Sequence, residues 1–491
     1  MNDHAAAFYA ARDQRTIQLG ARDDALRRPV SVVVGADAAG TRPGQAAVLA
    51  LANMLARVHR DLRFAVPPVP RTARELVLGP DLAGSVRETV LAINPHIALT
   101  VSGFLQASAG AVTAGIGTDV PAGLDIYAGW TGGRGEISGR PLHADGGEPA
   151  LIGAASAANL LAAAVFRATQ DFTVGSTLVN VAEAQAGEAS GTGSAAGPID
   201  AGSVLVVGGG AVAQALFYWA REIGVIGRWT VIDGDLCKLH NTNRCMGMTA
   251  ADAGWPGGMP GGPERHKAEV AAALVGAAFY PGWYDAWAED EKSRPDLVLP
   301  LANERSVRSL IAGRGEPLLL HAATSPNWSA QLHRHLPGAD DCPACRLGEE
   351  ATPVMACSTG PSRPEATASS DAALPFVSSM AGLMLATALL QLDPAGPFLA
   401  TASNHWQLDL TLPANPWQAS RHMAGPCVHQ LDSPTRTRIY ELQPRRWDQQ
   451  AWPAPACLGL RVSRLSGAAP GFITPEPHRR LLGRWPGWPV A

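Results

Sequence analysis

Lysine is almost missing from this chain. Its 491 residues include only Lys238, Lys267 and Lys292, so nearly all basic charge is arginine. Lysine and arginine together number 39 against 43 acids, a formal net charge of −4. With no global basic field, bulk nucleic-acid binding is excluded as the main role. Charged residues are scarce at 17% beside 46% hydrophobic ones, a globular and not a disordered composition. The first thirty residues, MNDHAAAFYAARDQRTIQLGARDDALRRPV, lack an uninterrupted apolar run. They do not read as a secretory signal, and a cytoplasmic location is expected. Long apolar runs are few: Pro149 to Arg167 and Pro375 to Leu392 reach only the lower end of membrane-spanning length. Both are rich in Ala, Gly and Ser and read as buried helices, so no membrane role is expected. The seven cysteines are Cys237, Cys245, Cys342, Cys345, Cys357, Cys427 and Cys457. An odd count without a signal segment argues against a disulfide scaffold and for metal or catalytic roles.

What is present is a repeated order. RRPVSVVVGADAAG runs an apolar strand into a turn at Gly35, followed by the helix-like GQAAVLALANMLARVH. GSVLVVGGGAVAQALFYWAREIG does the same with a turn at Gly208. Each half later has one of the two small-residue apolar helices. Strands alternating with helices predict parallel sheets, so the fold class expected is α/β, two related Rossmann-like domains packed on each other. The boundaries read as 1–185 for the first domain and 186–203 for a linker of small, almost uncharged residues. The second domain is 204–430, carrying a cysteine-bearing crossover segment 346–374. Residues 431–491 form a Pro/Trp/Arg-rich extension, with nine Arg, no Lys and four acids. It reads as a solvated surface.

The halves differ where chemistry would sit. No acid ends the strand LRFAVPPVP of the first half, whereas WTVIDGD of the second ends at Asp233 and Asp235. The first half is therefore read as degenerate. In the second, Gly208 and Gly210 with Ala213 in the third place form a strand–turn–helix phosphate cradle, because glycine lets backbone N–H groups approach an anion. An acid at the next strand end can hold ribose hydroxyls. Asn241, Arg244 and Lys267 follow, and cations placed there suit a polyphosphate better than nicotinamide. Cys342-x-x-Cys345 has zinc-knuckle spacing, and Cys427 and His429 are the best remaining donors for a tetrahedral structural Zn²⁺ site.

VLVVGGGAV, VIDGDLCKLHNTNR and HKAEVA together resemble the adenylation domain of ubiquitin-activating enzymes and of their bacterial relatives in molybdopterin and thiamin sulfur transfer. The resemblance covers roughly Ala201 to Leu392, is weaker over the first half and is absent from the last sixty or so residues. It implies ATP and Mg²⁺, with Asp233 and Asp235 on ribose and metal, and Asn241, Arg244 and Lys267 on the phosphates. Arg244 and Lys267 lie farther apart than is usual in the family, the extra residues being the loop AGWPGGMPGG. RTIQLG resembles the stretch in which an arginine crosses to the partner domain's ATP; Arg15 is that candidate and Arg12 the fallback. The family's metal-binding Asp-Asn pair reads Asn303-Glu304 here, a departure that weakens magnesium binding unless Glu304 substitutes. PVMACST resembles the segment that carries the thioester-forming cysteine, which implies Cys357 as nucleophile, with Cys245 as runner-up.

The degenerate-plus-active pairing is similar to the activating enzymes of bacterial ubiquitin-like conjugation operons in antiphage defence. It implies a ubiquitin-like partner with a C-terminal glycine and a conjugating enzyme, with the chain a monomer or homodimer. A sulfur-carrier-protein adenylyltransferase, a non-catalytic nucleotide-binding scaffold and a dehydrogenase are the alternatives.

Overall fold

In the computed structural model the β-branched run VSVVV becomes a strand buried along its whole length. The structure describes residues 3–73, 79–105, 108–186, 199–290, 294–325, 327–347, 374–392, 396–423, 425, 427–443 and 446–447. The first half contributes strands β1 (Val30–Val34), β2 (Asp61–Ala65), β3 (Ala98–Ser102), β4 (Val112–Ile116), β5 (Ile126–Thr131), β6 (Arg134–Ser138) and β7 (Thr177–Asn180). The second contributes β8 (Ile199–Val207), β9 (Val225–Ile232), β10 (Ala278–Tyr280), β11 (Leu297–Pro300), β12 (Leu319–Thr324), β13 (Ser329–His335), β14 (His405–Asp409) and β15 (Trp417–Ser420).

The sheets have orders β3-β2-β1-β4-β5-β6-β7 and β10-β9-β8-β11-β12-β13-β14-β15. In each, five strands are parallel and the edge after them turns antiparallel. Strand for strand they match except for the added β15, so the chain is an internal duplication of a mixed α/β unit. The apolar helices occupy equivalent places, Leu151–Thr169 between β6 and β7 and Pro375–Leu390 between β13 and β14. Strand β8 starts at Ile199, taking in residues read from sequence as the end of the linker.

Those helices lie inside the protein. Glu148–Thr169 is, among the described residues, the one helix long and apolar enough to cross a membrane, and 89% of its apolar window is buried. The side chains of both helices belong to a single core that runs through the two halves. Phe166 meets Phe376 at 5.7 Å and Trp328 at 5.5 Å between ring centres. Trp328 takes a left-handed backbone, φ 61°, costing about 1–2 kcal/mol for a residue with a Cβ. Burial of its indole between Phe166 and Phe376 offsets that. Small residues set the approach: a Cβ on Gly382 would stand 2.5 Å from the backbone of Ala215 in the Ala211–Ile223 helix.

The start of the C-terminal extension is mostly exposed, as its composition suggests, with Arg436, Tyr440 and Trp447 turned inward. Asp432 caps the Ser433–Leu442 helix, and the buried Trp447 donates from Nε1 to the Ala201 carbonyl at 3.1 Å. Proline and arginine density hid one large apolar side chain with a place in the core.

Gly382→Val should destabilise the protein by about 1–3 kcal/mol, the cost of overpacking a close helix crossing. Gly139→Val, at a site with open space, should change the melting temperature little; thermal denaturation of both checks this.

Candidate active site

The glycine turn forms because the chain must leave β8 without a side chain. Gly208 has φ 106° and a Cβ there would lie 2.6 Å from the Ala302 nitrogen. Gly210 stands at the head of the Ala211–Ile223 helix with open space where a Cβ would go, as an anion site at a helix start requires. Ala213 is buried where the helix meets the sheet. Asp233, at the end of β9, accepts from Gly209 N at 2.7 Å and Asp235 N at 2.8 Å. Burial pushes its carboxyl up, while the Lys267 ammonium opposes that. Lys267 Nζ is 2.6 Å from Asp235 Oδ2 and its backbone N donates to the Asp235 carbonyl at 2.9 Å. Glycine turn, Asp233, Asp235 and Lys267 thus form one connected unit.

Burial, then the positive charge of Arg15, Arg244, Lys267 and Lys238, push the His240 imidazole down to about 3. Two of those cations are held by carboxylates, Lys238 by Glu264 at 2.5 Å and Lys267 by Asp235 at 2.6 Å. Arg244 is buried, with a 3.3 Å contact from Nη1 to Asn243 Oδ1. Asn241 is also buried, and its side-chain oxygen accepts from Lys238 N at 3.0 Å, so it shapes its own turn. Asn303 is exposed and Glu304 precedes the Arg305–Ala312 helix. Both follow β11, the neighbour of β8, whose end packs against Gly208.

Arg15 reaches this place because its segment bridges the halves. Arg12 donates to Asp13 at 2.6 Å and to the Ala56 carbonyl at 3.0 Å, and Arg60 also holds Asp13. These ties bind the segment to the first half. Asn243 donates to Thr16 Oγ1 at 3.0 Å, and Phe8 packs on Trp255 at 5.8 Å; these bind it to the second. Arg12, the fallback candidate, is fully buried in its ion pair with Asp13. Cys245 is buried in an apolar cluster with Phe8 and Val270 and is not placed to act as a nucleophile. Cys357 lies outside the described residues. Trp255 also fixes the loop AGWPGGMPGG, whose Gly258 carbonyl contacts His96 Nε2 at 2.8 Å.

Sequence reasoning missed Arg57 and Asn53. Arg57 is fully buried in the Arg42–Val58 helix of the first half. It donates to the carbonyls of Thr242 at 2.6 Å, Met246 at 2.7 Å and Met248 at 3.1 Å, and to Asn53 Oδ1 at 2.8 Å. Asn53 adds a bond to the Met246 carbonyl. The pair clamps the backbone that carries Arg244. Burial draws the guanidinium down to about 10, still charged at neutral pH. A polar i, i+4 pair inside an otherwise apolar helix was the available signal.

A second cluster joins distant parts of the second half. Cys342, Cys345, Cys427 and His429 bring their donor atoms within 4.8 Å of one another. Cys427 Sγ is 3.5 Å from both Cys342 Sγ and Cys345 Sγ, and His429 Nδ1 is 3.5–3.7 Å from the three sulfurs. Tetrahedral zinc with bonds of about 2.3 Å to sulfur needs sulfurs about 3.8 Å apart. Three thiols and an imidazole fit that ion, with His429 as the fourth donor.

No family model and no curated protein sequence matches the chain. Among solved structures it is similar to the Microcin C7 biosynthetic enzyme MccB in complex with N-formylated MccA. The identity there is 14% and the TM-score 0.32, over 46% of this chain and 66% of that one. It is likewise similar to E. coli MccB with ATP, at 14% identity and a TM-score of 0.32 over 46% and 65%. The aligned part thus spans about two thirds of the length of those structures.

Replacing Arg57 by Met would leave buried carbonyls without donors, at roughly 1–3 kcal/mol each. Urea unfolding should show a loss of about 3 kcal/mol or more. His59 gives a pH test. It is fully buried with both ring nitrogens unpartnered, and burial, then Arg12, hold it down at about 3. The unfolded ring titrates near 6.5. Its contribution is therefore complete above that pH and is lost as pH falls toward 3, by up to about 1.4 kcal/mol per unit. The urea midpoint should drop below pH 6.5, and less steeply in His59→Leu.

Proposed function

We propose that the chain is an ATP-dependent adenylyltransferase that activates the C-terminal glycine of a ubiquitin-like protein. The observation that carries this reading is the glycine turn closed by Asp233, with Lys267 held against Asp235 at its edge. Lys267, whose backbone lies against Gly209, is a cation placed for a polyanion at that turn. The approach of Gly208 to Ala302 and the open face of Gly210 suit a triphosphate.

In the reaction, a carboxylate oxygen of the partner attacks the α-phosphorus of ATP. The bond to the bridging oxygen breaks and pyrophosphate leaves. Arg244 and Lys267 offset the charge that grows on the phosphates, and Arg15 adds a cation from the first half. At rest Lys267 is neutralised by Asp235. Binding of the nucleotide would redirect it to phosphate, leaving Asp235 free. Asp235, Glu304 and the Asn303 amide are hard oxygen donors that suit Mg²⁺, which supplies charge neutralisation when bound. Asp233 orients the ribose. The thiolate of Cys357 then attacks the acyl-adenylate carbonyl, forming a thioester and releasing AMP, and a conjugating enzyme's cysteine takes the acyl group. A place in bacterial antiphage conjugation follows from the domain pairing alone.

Asn303 supports a second reading. An exposed amide stands where the resemblance expects a magnesium-binding carboxylate, so a nucleotide-binding scaffold with little turnover is the alternative.

The protein, incubated with ATP, Mg²⁺ and a glycine-terminated ubiquitin-like protein encoded beside it, should catalyse partner-dependent ATP–pyrophosphate exchange. It should also form a thiol-sensitive adduct on non-reducing gels. Cys357→Ala should lose the adduct and keep exchange, and Arg244→Ala or Arg15→Ala should lower exchange about 10²-fold. Exchange without an adduct would move the reading to sulfur-carrier activation. Neither signal in wild type, restored by Asn303→Asp, would leave the scaffold.

A further inference from the structure

Three histidines on one face of the second sheet have no part in the nucleotide chemistry. His333 and His335 are two apart on β13, so the pleat turns both to the same side. The β12–β13 register sets His321 directly opposite His333. All three rings are buried, at 1%, 2% and 1% exposure. One nitrogen from each lies within 4.8 Å of the others.

Their hydrogen bonding is incomplete. His335 Nδ1 is 2.7 Å from the Asp341 carbonyl, which can only accept. That nitrogen therefore carries the proton and Nε2 presents its lone pair. A backbone carbonyl behind the ring is the usual support of a metal-binding histidine. His335 Nε2, His333 Nε2 and His321 Nδ1 have no hydrogen-bond partner. A buried polar atom left unsatisfied costs about 1–3 kcal/mol, and here three of them lie on adjacent rings within reach of one ion.

The charged and titratable groups that face the cluster are Arg308, Arg346 and His405. Arg308 Nη2 is 3.5 Å from His321 Nε2, which accepts, so Nδ1 carries that ring's proton in this contact. Arg308 keeps the Ala302 carbonyl if it releases the ring, and the proton's move to Nε2 makes Nδ1 the donor. His405 stacks on His333 at 4.5 Å between centres. Arg346 Nη1 lies 3.2 Å from His333 Nδ1 and 2.9 Å from the Asn404 carbonyl, and the guanidinium is ion-paired with Asp341. Arg346 keeps those other partners if it releases His333. The ring's proton can then move from Nε2 to Nδ1, and Nε2 becomes a donor to a metal.

We propose that His321, His333 and His335 bind one divalent first-row transition ion of the zinc class, separate from the Cys342–Cys345–Cys427–His429 centre. Neutral imidazoles select such ions over magnesium or calcium. Because none of the three rings reaches solvent, the ion is structural and cross-links β12 to β13 beside the segment that leads into Cys342.

Metal-stripped full-length protein titrated with Co²⁺ tests this. Wild type should take up two equivalents per chain, one with a near-ultraviolet thiolate charge-transfer band and one with visible bands alone. The double variant Cys345→Ala, Cys427→Ala should keep the second, and His321→Gln with His335→Gln should keep only the first. One equivalent in wild type, all with the thiolate band, would overturn the proposal. So would two equivalents in the histidine variant, shown folded by circular dichroism. If that variant does not fold, the wild-type count and the cysteine variant's spectrum decide.

Discussion

The structure depends on two helices made of small apolar side chains. Leu151–Thr169 and Pro375–Leu390 occupy equivalent positions in the two halves and share one core. Gly382 lets the second helix approach the Ala211–Ile223 helix to backbone contact, and that helix begins at the glycine turn. The helix that packs against the first half therefore also supports the base of the candidate site. Close approach of this kind maximises dispersion contacts, and a single added methyl group disrupts it.

The first half lacks the acid that would make it a nucleotide site, yet the site of the second half is built partly from it. Arg57 and Asn53 hold the backbone on which Arg244 sits, and the segment bearing Arg15 is anchored by Asp13 to Arg60 of the first half. An arginine whose hydrogen bonds run to carbonyls retains its charge deep in the protein, adding positive potential behind Arg244. With three lysines in the whole chain, two of them, Lys238 and Lys267, stand at this one location. The first half thus holds the backbone of the candidate site in the second.

Buried neutral histidine is the second theme. His59, His240, His321, His333 and His335 are all held below their ordinary range, with burial the first cause in each case. Such rings favour the fold only while uncharged, so nitrogen lone pairs accumulate in the interior. Where a carbonyl fixes the tautomer, as Asp341 does for His335, the remaining nitrogen is set up as a donor.

The sequence by itself determined the duplication, the two buried helices and the core of the site. Those features are local: a strand running into glycine, an acid at the next strand end, a lysine behind a His, an alternation of strand and helix. Each is written within about thirty residues, and backbone geometry translates it directly. Only the tertiary structure decided that Arg12 is buried in an ion pair, that His429 joins the cysteine cluster, and that Trp447 is a core residue. The clamp by Arg57 and the meeting of His321 with His333 and His335 belong to the same group. Those outcomes hang on contacts between residues tens to hundreds of positions apart. Burial and desolvation, which no residue type or spacing encodes, choose among otherwise equivalent side chains.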